Sequence, residues 1–142
     1  MSVNQISVFL ENKPGTLNRM TRVLAEHDID MRALSLAETK DFGIARIIVD
    51  DVIAATTVLK EADFVASLTP VLAFDIPDEP GGLARLLDTF TAAQVNIEYM
   101  YAFLGGKKVN RATMIFRVAD TKHAEAALVS RGLRPLSQED FE

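Results

Sequence analysis

Apolar and polar positions follow one another in a pattern that predicts two similar blocks of short strands and amphipathic helices. Each block begins with an apolar run of strand-forming residues that ends at a turn signal, "ISVFL" (6–10) and "VLAFDI" (71–76). Apolar residues then recur at helical spacing, at Leu17, Met20 and Leu24 in the first block and at Leu83, Leu86, Leu87 and Phe90 in the second. We therefore predict a strand followed by a helix with one buried stripe, twice.

The remainder of each block predicts a hairpin, a second helix and a closing strand. The predicted strands are 29–38, 43–50 and 64–68 in the first block, and 95–104, 111–120 and 133–137 in the second. Asp51 and Asp120 are suited to begin the second helices, because a carboxylate accepts the free N–H groups of the first turn. Gly132 is suited to end the last helix in a left-handed conformation.

The two blocks are a repeat at low identity. Pro14 and Pro80 are 66 positions apart, and the same offset aligns Leu17 with Leu83. Beyond residue 40 the offset grows to 69, because the second block has "GGKKVN" where the first has "KDFG". Gly-rich polar stretches between apolar runs are hairpin turns, where insertions are tolerated. The repeat therefore keeps its apolar pattern and varies in its turns.

The order β-α-β-β-α-β, occurring twice, predicts the fold class. It is typical of the α+β, ferredoxin-like arrangement, in which helices cover one face of an antiparallel sheet. We predict two such modules in tandem, at 1–69 and 70–142, with their antiparallel sheets packed side by side and the helices on one face. The link "TPVLA" is too short and apolar for a flexible tether, and a module of about 70 residues buries only a marginal core alone.

Composition excludes several functions. The chain has 142 residues, no cysteine and a formal net charge of −5. Without cysteine it has no disulfide, thiolate ligand or cysteine nucleophile, and a reducing compartment such as the cytoplasm is expected. Basic residues do not cluster, which argues against nucleic acid. We see no signal peptide and no apolar run long enough to cross a membrane, and nothing indicates a cofactor or a metal.

A short phrase, "NKPGTL" (12–17) and "DEPGGL" (78–83), occurs at the start of both first helices. One interpretation is purely structural, because Pro and Gly favour a tight turn into a helix. The other is functional. A helix N-terminus attracts an anion, and the side-chain oxygen of Asn12 or Asp78 can accept a hydrogen bond from an ammonium group. Together these groups suit the two charged ends of a free amino acid.

On these motifs, the chain resembles the tandem ACT-domain proteins over essentially its whole length. The resemblance implies a non-catalytic regulatory protein that binds a free amino acid between ACT modules, against the loop from the first strand to the first helix. The matching positions are Asn12, Pro14, Gly15, Thr16 and Leu17 in the first module and Asp78, Pro80, Gly81, Gly82 and Leu83 in the second.

The resemblance also implies a contribution from the neighbouring module, at the start of its second strand. The positions that match are Asp30 with Met31, in "IDM", and Asn96 with Ile97, in "VNI". Asn96 matches the polar position of the family better than Asp30, because a carboxylate cannot donate a hydrogen bond.

Other functions remain open on the sequence alone. A regulatory subunit that acts only by contacting a separate enzyme of amino-acid metabolism, without its own ligand, is the main alternative. A small enzyme is a second one, although the chain lacks a cluster of catalytic residue types. An RNA-binding module shares the strand and helix order, but the acidic chain has few aromatic residues where such modules need them. Unpaired sheet edges predict a homodimer.

Overall fold

The computed structural model describes residues 2–38, 40–103 and 110–142. Its elements follow the predicted order closely. They are β1 (Val3–Glu11), α1 (Thr16–Glu26), β2 (Met31–Glu38), β3 (Phe42–Val49), α2 (Val52–Glu61), β4 (Val65–Pro77), α3 (Gly82–Ala92), β5 (Ile97–Ala102), β6 (Arg111–Val118), α4 (Thr121–Val129) and a 3-10 helix (Gln138–Phe141). The predicted end of the fifth strand at Leu104 and most of the hairpin turn "GGKKVN" lie outside the described residues.

The chain divides into two compact units between Thr69 and Pro70. The first unit is Asn4–Thr69, with the C-terminal pair Phe141–Glu142 grouped with it. The second unit is Pro70–Asp140, with Ser2 and Val3 grouped with it.

In the first unit the strands lie in the order β2-β3-β1-β4, and β3 is antiparallel to both β1 and β2. Alternation along β1 points Ile6, Val8 and Leu10 into one core cluster. Leu24 of α1 and Leu59 of α2 belong to the same cluster, so both helices cover this face of the sheet. The side chains of the intervening β1 residues lie on the opposite face.

In the second unit the strands lie in the order β4-β6-β5, with β6 antiparallel to both neighbours. Its core is built around three phenylalanines. Phe90 of α3 lies 4.7 Å from Phe116 of β6 and 5.8 Å from Phe74 of β4, measured between ring centroids. The Phe74–Phe90 pair has an edge-to-face geometry, which aromatic rings favour.

The predicted break between the strands 64–68 and 71–76 is wrong, because the residues between them lie inside a strand. The structure joins the predicted strands 64–68 and 71–76 into the single 13-residue strand β4. Pro70 is exposed within it, and its carbonyl accepts a hydrogen bond from Arg117 Nη1 at 2.9 Å. A proline is compatible with a strand where its missing N–H is not needed by a neighbour.

The predicted closing strand 133–137 is also wrong. The segment is irregular and leads into the 3-10 helix. Its Leu136 N–H donates to the Ala73 carbonyl at 2.8 Å, but Pro135 beside it has no N–H with which to extend a ladder. Asp140 then accepts hydrogen bonds from the Ser137 N–H and hydroxyl, which fixes the turn of the 3-10 helix.

The predicted helix ends are confirmed. The Asp51 carboxylate accepts from the Ala54 N–H at 3.0 Å, and Asp120 accepts from the His123 N–H at 3.1 Å. Gly132 has a φ of +90°, the left-handed conformation predicted for it. The predicted fold class is confirmed as well: the protein is α+β, with antiparallel strands covered by helices. The order β-α-β-β-α occurs twice, and β4 both closes the first repeat and begins the second.

Candidate functional site

The first Pro-Gly loop connects β1 to α1 through a glycine that has a left-handed backbone. Gly15 is the N-cap of α1 with a φ of +90°, and no side chain caps the helix. The loop is held by its own backbone, since the Lys13 N–H donates to the Glu11 carbonyl at 2.9 Å. The Thr16 hydroxyl donates to the Lys13 carbonyl at 3.1 Å and so does not cap the first turn. The positive end of the helix dipole is therefore left without a side-chain acceptor.

A cavity of about 560 Å³ opens beside this loop, wholly within the first unit. Three of the predicted ligand-binding residues, Pro14, Gly15 and Thr16, form part of its wall. A Cβ added to Gly15 would find no atom within 4 Å, so the space in front of the glycine is open. This volume lies in the range of small-molecule sites, and the loop backbone is directly accessible from it.

Another part of the lining, the apolar wall, consists of large apolar side chains. It is formed by Phe9, Phe42, Phe64 and Val65. Phe64 is buried in the core, but Phe9, Phe42 and Val65 are 49%, 56% and 66% exposed. Three large apolar side chains are thus open to solvent around one concave surface, which is unusual unless something binds there.

Charged side chains complete the lining. Arg19 of α1 lies over the Phe64 ring, 4.1 Å from its centroid, and its Nη1 donates to the Ala62 carbonyl at 3.0 Å. Glu11 and Lys13 form an exposed ion pair with a 2.9 Å separation. Asp63 lies just after α2 in a left-handed conformation, with a φ of +66°. The cavity therefore offers both a cation and carboxylates at its rim.

The other residues predicted for the first module do not line this cavity. Asn12 is exposed at the start of the loop, where its Nδ2 donates to Glu38 at 3.2 Å and leaves its Oδ1 as an acceptor. Leu17 packs against the hydrophobic core. Met31 packs against the same core, and Asp30 forms an ion pair with Arg32 at 2.9 Å.

Asp30 and Met31 follow the C-terminus of α1, whereas the loop precedes its N-terminus. The 11 residues of α1 separate the two positions by about 16 Å at a rise of 1.5 Å per residue. Within one unit they cannot contact the same small ligand. Their predicted contribution is that of a neighbouring module, and it stays a prediction.

The second Pro-Gly loop has the same backbone conformation. Gly81 is the N-cap of α3 with a φ of +86°, and again no side chain caps the helix. The loop is nevertheless tighter. A Cβ added to the buried Gly82 would lie 2.3 Å from the Pro77 carbonyl oxygen, so this position requires glycine. Glu79 forms an ion pair with Arg85, and the Arg85 side chain would lie 3.1 Å from a Cβ added at Gly81.

The remaining predicted residues of the second module are dispersed. Asp78 and Pro80 are exposed, and the Asp78 N–H donates to the Asn110 carbonyl at 2.9 Å. Leu83 packs against the hydrophobic core of the second unit. Ile97 packs against that core too, while Asn96 is exposed just before β5. Their part in binding a ligand stays a prediction.

The second unit has a cavity of about 640 Å³, but none of the predicted loop residues lines it. It is bordered by Asp75, Arg111, Leu133, Arg134 and the residues that lead to the 3-10 helix. Asp75 accepts a short hydrogen bond from the Thr113 hydroxyl across the β4–β6 pair. The lining combines these charged side chains with apolar ones such as Phe74 and Leu86.

The two cavities share part of their lining by position in the repeat, although only the first includes a Pro-Gly loop. By the 66- and 69-residue offsets, Phe9 corresponds to Asp75, Phe42 to Arg111, Phe64 to Leu133 and Val65 to Arg134. Strand register agrees, since Glu11 pairs with Phe42 in the first unit and Pro77 pairs with Arg111 in the second. One repeat therefore has an apolar wall where the other has two arginines and an aspartate.

Sequence reasoning missed the apolar wall. The sequence predicts Phe9 only as part of the apolar strand 6–10, and it predicts Phe42 only as part of the hairpin turn "KDFG". The available signal was the repeat alignment itself, because Phe9 and Phe42 are apolar at positions that the second repeat fills with charged residues.

Within 2–38, 40–103 and 110–142, no group of three or more His, Asp or Glu side chains is arranged to hold a metal ion. No helix in the same part of the chain is long and apolar enough to span a bilayer.

The chain matches one known family in sequence and several solved structures in fold. The sequence model described as an ACT domain pair matches residues 1–142. A crystal structure of a Bacteroides thetaiotaomicron protein is similar with a TM-score of 0.90 at 38% identity, over 99% of this chain and 96% of that one. No curated protein sequence matches the chain.

Two regulatory subunits of aspartate kinase share the fold at lower identity. The Thermus thermophilus subunit, in its ligand-free form, has a TM-score of 0.67 at 20% identity, over 98% of this chain and 93% of that one. The Thermus flavus subunit has a TM-score of 0.62 at 19% identity, over 98% and 92%.

Proposed function

This chain belongs to the ACT domain pair family, and on that premise we propose that it is a non-catalytic regulatory protein that binds a free amino acid. The proposed site is the cavity of the first unit, beside the loop that contains Pro14 and Gly15. Binding would stabilise one arrangement of the protein over another and so change its contact with a separate partner.

The observation that carries this proposal is the open, uncapped N-terminus of α1 next to a cavity of small-molecule size. A carboxylate is a suitable ligand for the free N–H groups of a helix start, where the helix dipole also favours negative charge. Gly15 has no side chain in front of these groups, and its surroundings would leave room for one. The backbone is therefore exposed to a ligand in the cavity.

The rim of the cavity also suits the ammonium group of an amino acid. Glu11 and Asp63 contribute carboxylates to the lining, and Asn12 keeps a free Oδ1 at the start of the loop. These oxygens can accept from an ammonium group, whereas the helix N-terminus can only donate. Acceptors and donors near one cavity suit a zwitterion better than a simple anion.

The test is a thermal-shift screen of the whole chain against the twenty amino acids, one at a time, at millimolar concentrations. A ligand at about 100 times its Kd stabilises the native state by about 2.7 kcal/mol, which raises the Tm by a few degrees. We expect at least one amino acid to do so. If none changes the Tm, the proposed function is wrong.

Gly15→Ala and Gly81→Ala form a matched pair that tests at which of the two Pro-Gly loops the ligand binds. Both replace a glycine of φ near +90° and incur a similar backbone strain, so both variants should lose stability to a similar degree. A Cβ at position 15 would also project into the open space of the cavity. We expect Gly15→Ala to abolish the ligand-induced rise in Tm and Gly81→Ala to retain it.

A second candidate function uses the same surface without a small ligand. The exposed side chains of Phe9, Phe42 and Val65 could contact a catalytic partner directly, which would make the chain a regulatory subunit that acts through protein contact alone. Affinity purification from the native host with wild-type and Phe42→Ser baits tests this. A partner enzyme that is lost with the variant, together with a flat amino-acid screen, would favour it.

We also propose that the chain forms a homodimer. The strand orders end at β2 in the first unit and at β5 in the second, and exposed strand edges favour pairing with another chain. Light scattering at tens of micromolar should give the mass of two chains. A monomeric mass at that concentration would contradict the proposal.

A further inference from the structure

We propose that the cavity of the first unit selects amino acids with a large apolar side chain. This inference rests on the proposed function and makes it specific. The loop backbone and the charged rim would bind the zwitterionic end common to all amino acids, whereas the apolar wall would decide which side chain is accepted.

The apolar wall is not needed by the core of the first unit. Val8 and Leu10 point into the core cluster, so Phe9 between them points to the other face of the sheet. Phe42 and Val65 are likewise absent from that cluster. All three remain about half exposed or more, and contact with a ligand would remove apolar surface from water.

Strand register makes the wall continuous. Phe9 pairs with Ile44 and Glu11 pairs with Phe42 across β1 and β3, so all four side chains lie on one face. Phe9 and Phe42 are then diagonal neighbours, at a separation of about 7–8 Å that long aromatic side chains can bridge. An apolar ligand group that lies between them would contact both rings.

Charged side chains share the lining with the apolar wall, and Glu11 lies directly opposite Phe42 across β1 and β3. Arg19 is already bonded to the Ala62 carbonyl and stacked on Phe64, and Lys13 is paired with Glu11. A ligand with a charged side chain would bring that charge against Phe9, Phe42 and Val65, whose side chains offer it no hydrogen-bond or ionic partner. Loss of hydration without a new partner disfavours binding of such a ligand.

The second unit provides an internal comparison. The same strand positions there hold Asp75, Arg111 and Arg134, and the β-strand and helix order is unchanged. Phenylalanine and valine at these positions are therefore not requirements of the fold. At these positions the two cavities differ in surface chemistry, and the charged side chains would disfavour an apolar ligand group in the second.

The test is titration calorimetry of the whole chain with glycine, alanine, leucine, phenylalanine, aspartate and lysine. We expect leucine or phenylalanine to bind at least about tenfold more tightly than alanine, the order of selectivity that a hydrophobic pocket provides per extra methylene group. Aspartate and lysine should bind more weakly than alanine.

Two variants test whether the apolar wall causes the preference for an apolar ligand. Phe42→Arg places in the first cavity the residue found at the equivalent position of the second, and Phe9→Ser removes the other ring. Both residues are exposed, so both variants should fold, which circular dichroism would verify. We expect each to lose at least tenfold in affinity for the apolar ligand. Arg111→Phe in the second unit is the matched control and should leave that affinity unchanged.

The outcomes separate this inference from the proposed function. Tight binding of a charged or small polar amino acid that is insensitive to Phe42→Arg would overturn the apolar selectivity and leave amino-acid binding intact. No binding of any amino acid would overturn both. Loss of apolar binding with Arg111→Phe but not with Phe42→Arg would move the ligand to the second cavity and would also overturn the inference.

Discussion

Phe9 in β1 and Asp75 in β4 hold the same position in the two repeats, yet they create opposite surfaces. Phe9 is half exposed beside a cavity whose wall includes Phe42 and Val65. Asp75 accepts a hydrogen bond from Thr113 and lies beside Arg111 and Arg134. Two repeats of one fold can therefore have the same order of strands and helices while one has an apolar surface and the other a charged one at the same positions.

The loops differ in a second way. Thr16 in the first loop corresponds to Gly82 in the second, by the 66-residue offset. Thr16 is only partly buried, whereas Gly82 is buried against the Pro77 carbonyl with no room for a Cβ. The first loop accommodates a side chain and opens onto a cavity, while the second is closed on its own backbone. This difference supports placing the proposed ligand at the first loop.

The cores differ as well. Leu24 in the first unit and Phe90 in the second are equivalent positions on the first helix of each repeat. Aliphatic side chains dominate the first core, whereas Phe74, Phe90 and Phe116 pack against one another in the second. The two units therefore differ in their cores as well as at their surfaces. Matched pairs of variants at equivalent positions test both differences.

The largest effect is expected in the core. Phe90→Ala should lower the free energy of unfolding by about 3–5 kcal/mol, because it removes two ring contacts and leaves a cavity. Leu24→Ala, at the equivalent position, should lower the free energy of unfolding by about 2–5 kcal/mol and should leave a smaller cavity than Phe90→Ala. Urea denaturation of both variants measures the difference. A cost below about 1 kcal/mol for Phe90→Ala would show that the aromatic core does not stabilise its unit.

The next effect distinguishes the two loops. Gly82→Ala should destabilise the protein by about 1–3 kcal/mol, because the new Cβ would overlap a backbone carbonyl that cannot move freely. Thr16→Ala changes a side chain whose hydroxyl bonds only within its loop, and should cost about 0.5 kcal/mol or less. Thermal unfolding of the pair tests this. Equal losses would mean that the loops are equally tight.

The helix caps should behave alike in the two units. Asp51→Ala and Asp120→Ala each remove a carboxylate that accepts one first-turn N–H, so each should cost about 1 kcal/mol. Asp51→Asn and Asp120→Asn should recover most of the loss, since an amide oxygen is also a good cap. Both repeats share this cap, so a loss of stability at only one of the two positions would contradict the prediction.

The smallest effect concerns two equivalent arginines. Arg19→Ala removes both the ring contact with Phe64 and a hydrogen bond to Ala62, and should cost about 1 kcal/mol. Arg85→Ala removes an exposed ion pair with Glu79 and should cost about 0.5 kcal/mol or less. In 1 M NaCl, Arg85→Ala should no longer lower the free energy of unfolding, because salt screens an exposed ion pair. Most of the loss caused by Arg19→Ala should remain.

Much of the fold could be predicted from local patterns. The helices after Gly15 and Gly81, the caps at Asp51 and Asp120 and the left-handed Gly132 all depend on residues within a few positions of each other. The predicted strands were wrong near two prolines, because the effect of a proline on a strand depends on the residues around it. Pro70 is compatible with a continuous strand, whereas Pro135 interrupts one, and a single sequence does not distinguish the two cases.

By itself, the sequence determined the repeat, the alternation of strands and helices and the position of two turns that begin helices. These features follow from the period of apolar residues and from turn chemistry, which act over a few residues. Only the tertiary structure decided that Phe9, Phe42 and Val65 line one cavity together with Gly15. Cross-strand register brings these residues together, and it depends on pairing between distant segments rather than on any local pattern.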